Sequence, residues 1–193
     1  QPISRSKRSG GEKGIVHIIT SNNELLLQLI NDIIDMAKIE SGTLDFTYSD
    51  TDINQLMEDL CQQMKMKNTR PDSVKIEFVQ RQSECIINTD SNRIMQIMQF
   101  HDQRHEIYRT RQYYFGYKKS EKDIYFFVRD TGIGIPSDKK EQIFDRFVKL
   151  NTFAQGTGLG LPICAMIVDK FGGTIGVDSQ QGEGATFWFR LPL

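Results

Sequence analysis

Cysteine is scarce: Cys61, Cys85 and Cys164 are the only three in 193 residues, with neither metal-knuckle spacing nor a disulfide framework. They read as thiols of a reducing compartment rather than as ligands or staples. No apolar run approaches the ~20 residues that span a bilayer. Residues 1–14, "QPISRSKRSGGEKG", lack the apolar centre of a secretion signal. Neither charge sign dominates, since 24 Lys and Arg face 25 Asp and Glu, a formal net charge of −1. That balance gives no long-range field for a phosphate backbone or an anionic membrane, so no nucleic-acid partner is expected. Internal repeats are absent as well. What remains, with 38% hydrophobic and 25% charged residues, suits one globular domain, or one domain with a smaller appendage.

Residues 1–14 are expected to be disordered. From Ile15 to Ile39 the period is helical, with Leu26, Ile30, Ile33 and Ala37 on one stripe and Leu25, Leu29 and Met36 widening it. So much apolar surface must be covered, within the chain or by a partner. Gly42 is placed to cap the helix. Residues 43–49, "TLDFTYS", alternate like a short strand, and Asp52 can cap a helix from Ile53 to about Lys65. "VKIEFVQ" and "ECIINT" alternate as strands, and a helix starts near Asp90. Further on, "YYFGYKK" and "DIYFFVRD" read as strands and "KKEQIFDRF" as a short amphipathic helix. "GLGLPICAMIVDKFGG" is a helix that opens and closes on glycines, and "TIGVDSQ" and "ATFWFRLPL" form a strand pair about "QGEG". The order predicts an α+β sandwich, one mixed sheet with helices on one face.

Two glycine clusters carry chemistry. "DTGIGIP" places Asp130, Gly132 and Gly134 directly after a strand, and "GTGLGLPI" places Gly156, Thr157, Gly158 and Gly160 at a helix start. Neither is a Walker loop, because no Lys-Ser/Thr follows, and neither has dinucleotide spacing. Glycine-rich backbone at a helix N-terminus favours phosphate through free N–H groups and the helix dipole. A carboxylate at a strand end can accept a hydrogen bond from an exocyclic amine. Together they would hold the two ends of a nucleotide, although either cluster alone more often marks only a turn.

Jointly, "VRDTGIGIP", "IFDRFVKL", "GTGLGLPICAMIVDKFGGTIGVDS" and "GEGATFWFRLPL" resemble the catalytic ATP-binding domain of bacterial two-component sensor histidine kinases. "SNNELLLQLINDIIDMAKIESG" resembles the second helix of that family's dimerisation and phosphotransfer hairpin. The resemblance covers about residues 15–98 and 115–193. It implies a hairpin helix over 15–42 and a Bergerat-type α/β sandwich over 43–193. Asp130 would bind the adenine amine, and Gly132 and Gly134 would let the chain pass under the base. Phe144 and Phe147 would anchor the lid. Gly156, Gly158 and Gly160, with Thr157 and Leu159, would wrap the phosphates of ATP, whose counter-ion in the family is Mg²⁺. The lid, "VKLNTFAQ", is short, and Ala185 stands where many members carry Ser or Thr. The implied partners are a second copy through helix 15–39 and a response-regulator receiver domain. The implied place is the cytoplasm, free or as the cytoplasmic part of a membrane-anchored sensor. The alternatives are a non-catalytic dimerising module and another ATPase of the same fold; the helix "LLLQLINDIIDMAKIE" argues against the second.

Two family features are missing. No segment like S-H-E-[IL]-R-T-P-L is present, and His17 lies in the second-helix register, so no catalytic phosphoacceptor is assigned. After "RIMQIM" the family continues like N-x-[LIV]-x-N-A-x-K-[FY]-T-x-x-G, whereas this chain reads "QFHDQRHEIYRTRQYY". The Mg²⁺-holding asparagines are therefore absent and no metal ligand is assignable. His101 and His105 stand four apart, as zinc ligands on a helix can, but neither the glutamate of H-E-x-x-H nor a third ligand accompanies them. A remodelled, non-catalytic helix is a second reading, yet it would bury unpaired polar groups at ~2–7 kcal/mol each. The preferred reading is a shifted frame. With suitable codons, residues 100–114 read one base later give F-M-T-N-A-M-K-Y-T-E-Q-G-S-I, which restores the motif. "KRSGGEKG" shifted likewise gives E-A-E-E-K-K-E, so residues 1–14 are read as disordered or out of frame.

Overall fold

Alternate apolar residues in "DIYFFVRD" build the middle of the sheet. The computed structural model describes residues 8–68, 72–100, 112–148 and 157–193. Its helices are α1 (Arg8–Glu40), α2 (Ile53–Lys67), α3 (Ser91–Phe100) and α4 (Gly160–Lys170). Its strands are β1 (Ser49–Asp52), β2 (Lys75–Val79), β3 (Ile86–Thr89), β4 (Gln112–Lys119), β5 (Asp123–Asp130), β6 (Thr174–Gln180) and β7 (Gly184–Pro192). Five strands form one sheet in the order β2-β4-β5-β7-β6, and β1 and β3 form a separate antiparallel pair. Among the described residues only β2 and β4 run parallel; the other pairs are antiparallel, which makes the main sheet mixed as expected.

Pleating sends Ile124, Phe126 and Val128 of β5 to the covered face, where each is buried. The Phe126 ring stacks on Phe189 at 4.8 Å. α2 brings Ile53, Met57, Leu60 and Met64 to this face, one turn apart each, and α3 brings Ile94, Ile97 and Met98. The Tyr117 hydroxyl donates to Asn54 Oδ1 at 2.7 Å, which satisfies both buried polar groups. On the other face, aromatic rings cover glycines. A Cβ on Gly176 would meet the Trp188 ring at 2.5 Å, so only glycine lets that indole lie flat on the sheet.

Asp52 caps α2 as expected, its carboxylate accepting from Asn54 N–H (2.9 Å) and Gln55 N–H (3.4 Å). Gly42 ends α1 at φ +70°. Three expectations need correction. α1 begins at Arg8, so residues 8–14, expected to be disordered, are helical; propagation adds one hydrogen bond per residue once a turn exists. Residues 43–48 are not a strand. Thr47 N–H donates to Asp90 Oδ2 (2.9 Å) and Phe46 packs edge-on to Phe171 at 4.6 Å, so side chains rather than a ladder hold that segment. "KKEQIFDRF" forms no α-helix but a 3₁₀ turn, Gln142–Phe144, preceded by another, Ser137–Lys139. It ends at Phe147, whose φ of +64° leaves the helical region. The stripe of Leu26, Ile30 and Ile33 is not covered within the chain, while Leu29, Met36 and Ile39 pack on the core. No helix among the described residues is long and apolar enough to cross a membrane.

Candidate functional site

Asp130 closes β5, paired across the sheet with Ala185 of β7. Its Oδ1 accepts from Gly132 N–H at 2.7 Å, which turns the chain sharply and holds the carboxylate at the strand end. Two ties then hold the "TGIGI" loop to the β6–β7 hairpin. Ile135 N–H donates to Ser179 Oγ (2.8 Å), whose hydroxyl donates to Gly184 C=O (2.6 Å). Gly182 N–H donates to Ile133 C=O (2.7 Å). Gly134 passes so close to this hairpin, at φ +68°, that a Cβ would run into the Gln180 carbonyl. Ala185 is buried beside Ile135 and offers no hydroxyl near Asp130.

The second cluster is joined to Phe147 by its backbone. Phe147 N–H donates to Gly158 C=O at 2.9 Å, and Gly158, at φ +75°, leaves space for Phe147 where a Cβ would sit 3.0 Å from its Cα. Phe144 packs in a small apolar cluster, whereas the Phe147 side chain is 69% exposed. Phe147 thus meets the glycine segment through its main chain rather than through its ring. Leu159 is buried and Gly160 is the first residue of α4, which therefore starts two residues later than expected. Thr157 Oγ1 accepts from Leu159 N–H at 3.2 Å. Gly156, His101 and His105 lie outside the described residues, as does most of the out-of-register segment.

The two motifs meet through one apolar cluster. Ile135 after the first, Ile143 in the 3₁₀ turn, Leu161 in α4, and Ala185 and Phe187 on β7 are buried together. A cavity of about 350 Å³ opens where α1, α3 and α4 converge, lined by Gln28, Asp32, Asn92, Gln96, Gly160 and Cys164. Sequence reasoning missed Asp32, Asp35 and Gln96. Asp32 Oδ2 accepts from Thr157 Oγ1 at 2.6 Å. Partial burial raises the Asp32 pKa, the Thr157 hydrogen bond opposes that, and the Asp35 charge adds to it. Asp35 accepts from Gln96 Nε2 (2.7 Å), with Arg93 Nη1 3.8 Å away. The acids at three-residue spacing in "NDIIDM" were the available signal: they put charge on the face of α1 that also carries Met36. Among the described residues no group of three or more His, Cys, Asp or Glu is placed to hold a metal ion.

A mixed sheet covered on one face, with a carboxylate at a strand end and a glycine-opened helix tied to Phe147, defines a nucleotide-binding α/β sandwich. Residues 90–193 match the family described as histidine kinase-, DNA gyrase B- and HSP90-like ATPases, and the chain belongs to that family. It is 30% identical over 201 residues to hybrid signal transduction histidine kinase K of Dictyostelium discoideum, covering 94% of this chain and 16% of that one. It is 30% identical over 197 residues to sensor histidine kinase RcsC of Escherichia coli K12, covering 94% and 20%. The chain thus spans a fifth or less of these relatives. Among solved structures, full-length ShkA in complex with AMPPNP superposes with a TM-score of 0.81 at 25% identity, covering 100% of this chain and 40% of that one. ThkA in complex with the response regulator TrrA gives 0.70 at 20% identity, covering 100% and 52%. The domain is the ATP-binding domain of the histidine-kinase type, in the Bergerat sandwich that its motifs implied.

Proposed function

We propose that this chain is the second hairpin helix, residues 15–42, and the catalytic domain, residues 43–193, of a cytoplasmic two-component kinase that phosphorylates a histidine and passes the phosphoryl group to a receiver domain. The observation that supports it best is the apolar cluster of Ile135, Ile143, Leu161, Ala185 and Phe187, because it gathers the Asp130 turn, the lid and the start of α4. Asp130, held by Gly132 N–H, would accept from the adenine amine, and Gly132 and Gly134 would keep the floor of that site free of side chains. Gly158 and Gly160, with Thr157, Leu159 and Gly156, would wrap the phosphates, while Phe144 and Phe147 set the lid. Mg²⁺ would neutralise phosphate charge when bound. The donors expected for it are missing from the sequence, and no acidic cluster replaces them among the described residues. The likeness to ThkA with its response regulator supports a receiver domain as partner, and the exposed Leu26, Ile30 and Ile33 support a second copy on α1.

The chain as written would bind Mg-ATP poorly and not phosphorylate itself, because residues 99–114 stand in place of the asparagine motif. A shifted frame accounts for that segment better than a working polar insert. The nucleotide reading is tested by Asp130→Asn. Adenosine affinity measured by calorimetry should fall at least tenfold (~1.4 kcal/mol), and an unchanged dissociation constant would refute the assignment.

A further inference from the structure

Three carboxylates of α1 reach the catalytic domain. Asp32 accepts from Thr157 in the glycine segment, Asp35 accepts from Gln96 on α3, and Glu40 pairs with Arg146 just before the lid. Leu29, Met36 and Ile39 dock the same helix by apolar contact. Apolar docking alone has no need of a carboxylate at Asp32, and this one is held at a cost. It is partly desolvated, it stands near the like charge of Asp35, and the partner shown for it is a neutral hydroxyl. Its position explains its presence. Thr157 lies in the segment that would wrap phosphate, three residues before the N-terminal end of α4, where negative charge is favoured. The Thr157 hydroxyl has one proton to donate, and it donates it to Asp32.

Resting on the nucleotide reading above, we propose that α1 is a strap that competes with nucleotide phosphate: while Asp32 holds Thr157, the helix carboxylate takes the place of a phosphate oxygen. Docking of α1 and binding of the terminal phosphates then oppose each other. The coupling is reciprocal, so nucleotide loosens α1, and undocking α1 tightens nucleotide binding. A triphosphate would feel the strap and adenosine would not, because only the phosphates meet Asp32.

The test compares the parent chain with Asp32→Ala and Gln96→Ala; the latter cuts the tie to Asp35 without touching Thr157 or either carboxylate. Mg-AMPPNP and adenosine are titrated by calorimetry, and amide exchange is followed in residues 26–40. Both variants should bind AMPPNP at least about fivefold more tightly, the low end of ordinary site-to-site coupling. Adenosine affinity should not change. Saturating AMPPNP should speed exchange in α1 of the parent. Unchanged or weaker AMPPNP binding by both variants, with adenosine bound alike by all three proteins, would overturn the strap and leave the nucleotide reading standing. Failure of all three to bind either ligand would overturn both.

Discussion

Replacing Gly134 by alanine separates two costs that the Asp130 turn combines. The first is conformational: at φ +68° an L-residue brings its Cβ against the carbonyl, worth ~1–2 kcal/mol. The second is steric. The new methyl would point at the Gln180 carbonyl oxygen and lie 2.8 Å from its carbon and 3.1 Å from Gln181 Cα. Backbone cannot rotate away as a side chain can, so the hairpin must retreat, an overpacking cost of ~1–3 kcal/mol. Gly42→Ala is the control, since its φ is +70° with nothing within 4 Å of a Cβ. Gly134→Ala should therefore lose ~2–5 kcal/mol and Gly42→Ala only ~1–2. At ~2–4 °C per kcal/mol for a chain of this length, the first variant should melt about 4–20 °C below the parent. Urea unfolding gives the free energies and calorimetric melting the temperatures. The same retreat would strain the Gly182–Ile133 and Ile135–Ser179 hydrogen bonds, so adenosine binding should weaken in Gly134→Ala and not in Gly42→Ala. Equal losses of stability in the two variants would refute the close approach.

Asp32→Asn should raise thermal stability at pH 7, because asparagine keeps an acceptor for Thr157 and carries no charge to desolvate or to repel Asp35. The native pKa of Asp32 is raised above 3.8, so its favourable contribution is complete below 3.8 and is lost as pH rises through the native value. The gain from Asn should therefore shrink on acidification toward pH 3.8; a gain of equal size at both ends would contradict the origin assigned to it, with Arg93 and Asp35 the other charges at that site. α1 should associate, since Leu26, Ile30 and Ile33 are 55%, 45% and 53% exposed and full burial of each is worth ~1.5–3 kcal/mol. Sedimentation should find a dimer that Ile30→Glu dissociates, and a monomeric parent at high concentration would count against it. Replacing residues 99–114 by a segment ending N-F-M-T-N-A-M-K-Y-T-E-Q-G-S-I-T should raise both melting temperature and Mg-ATP affinity without giving autophosphorylation. Equal stability and affinity in the chain as written would make the polar segment a working site.

Local chemistry was enough for much of this protein. Alternation in "DIYFFVRD", the Asp52 cap, the glycine that ends α1 and the hairpin about "QGEG" follow from neighbours a few residues apart, and each is found in the structure. The paired glycine motifs were legible for the same reason, because tight turns and helix starts demand small residues at fixed spacing. Other features depend on contacts between distant residues. The apolar period of α1 does not say which side meets the core; the fit against α4 leaves Leu26, Ile30 and Ile33 outside and takes Leu29, Met36 and Ile39. Residues 43–48 alternate like a strand, yet Asp90 and Phe171 hold them instead. The Phe147–Gly158 hydrogen bond joins two separate motifs and could not be read from either alone. The Asp32–Thr157 hydrogen bond joins residues 125 positions apart. In the sequence Asp32 is one more charge on a long helix, and only packing α1 against the start of α4 removes part of the water from that carboxylate and gives it the hydroxyl of the glycine segment.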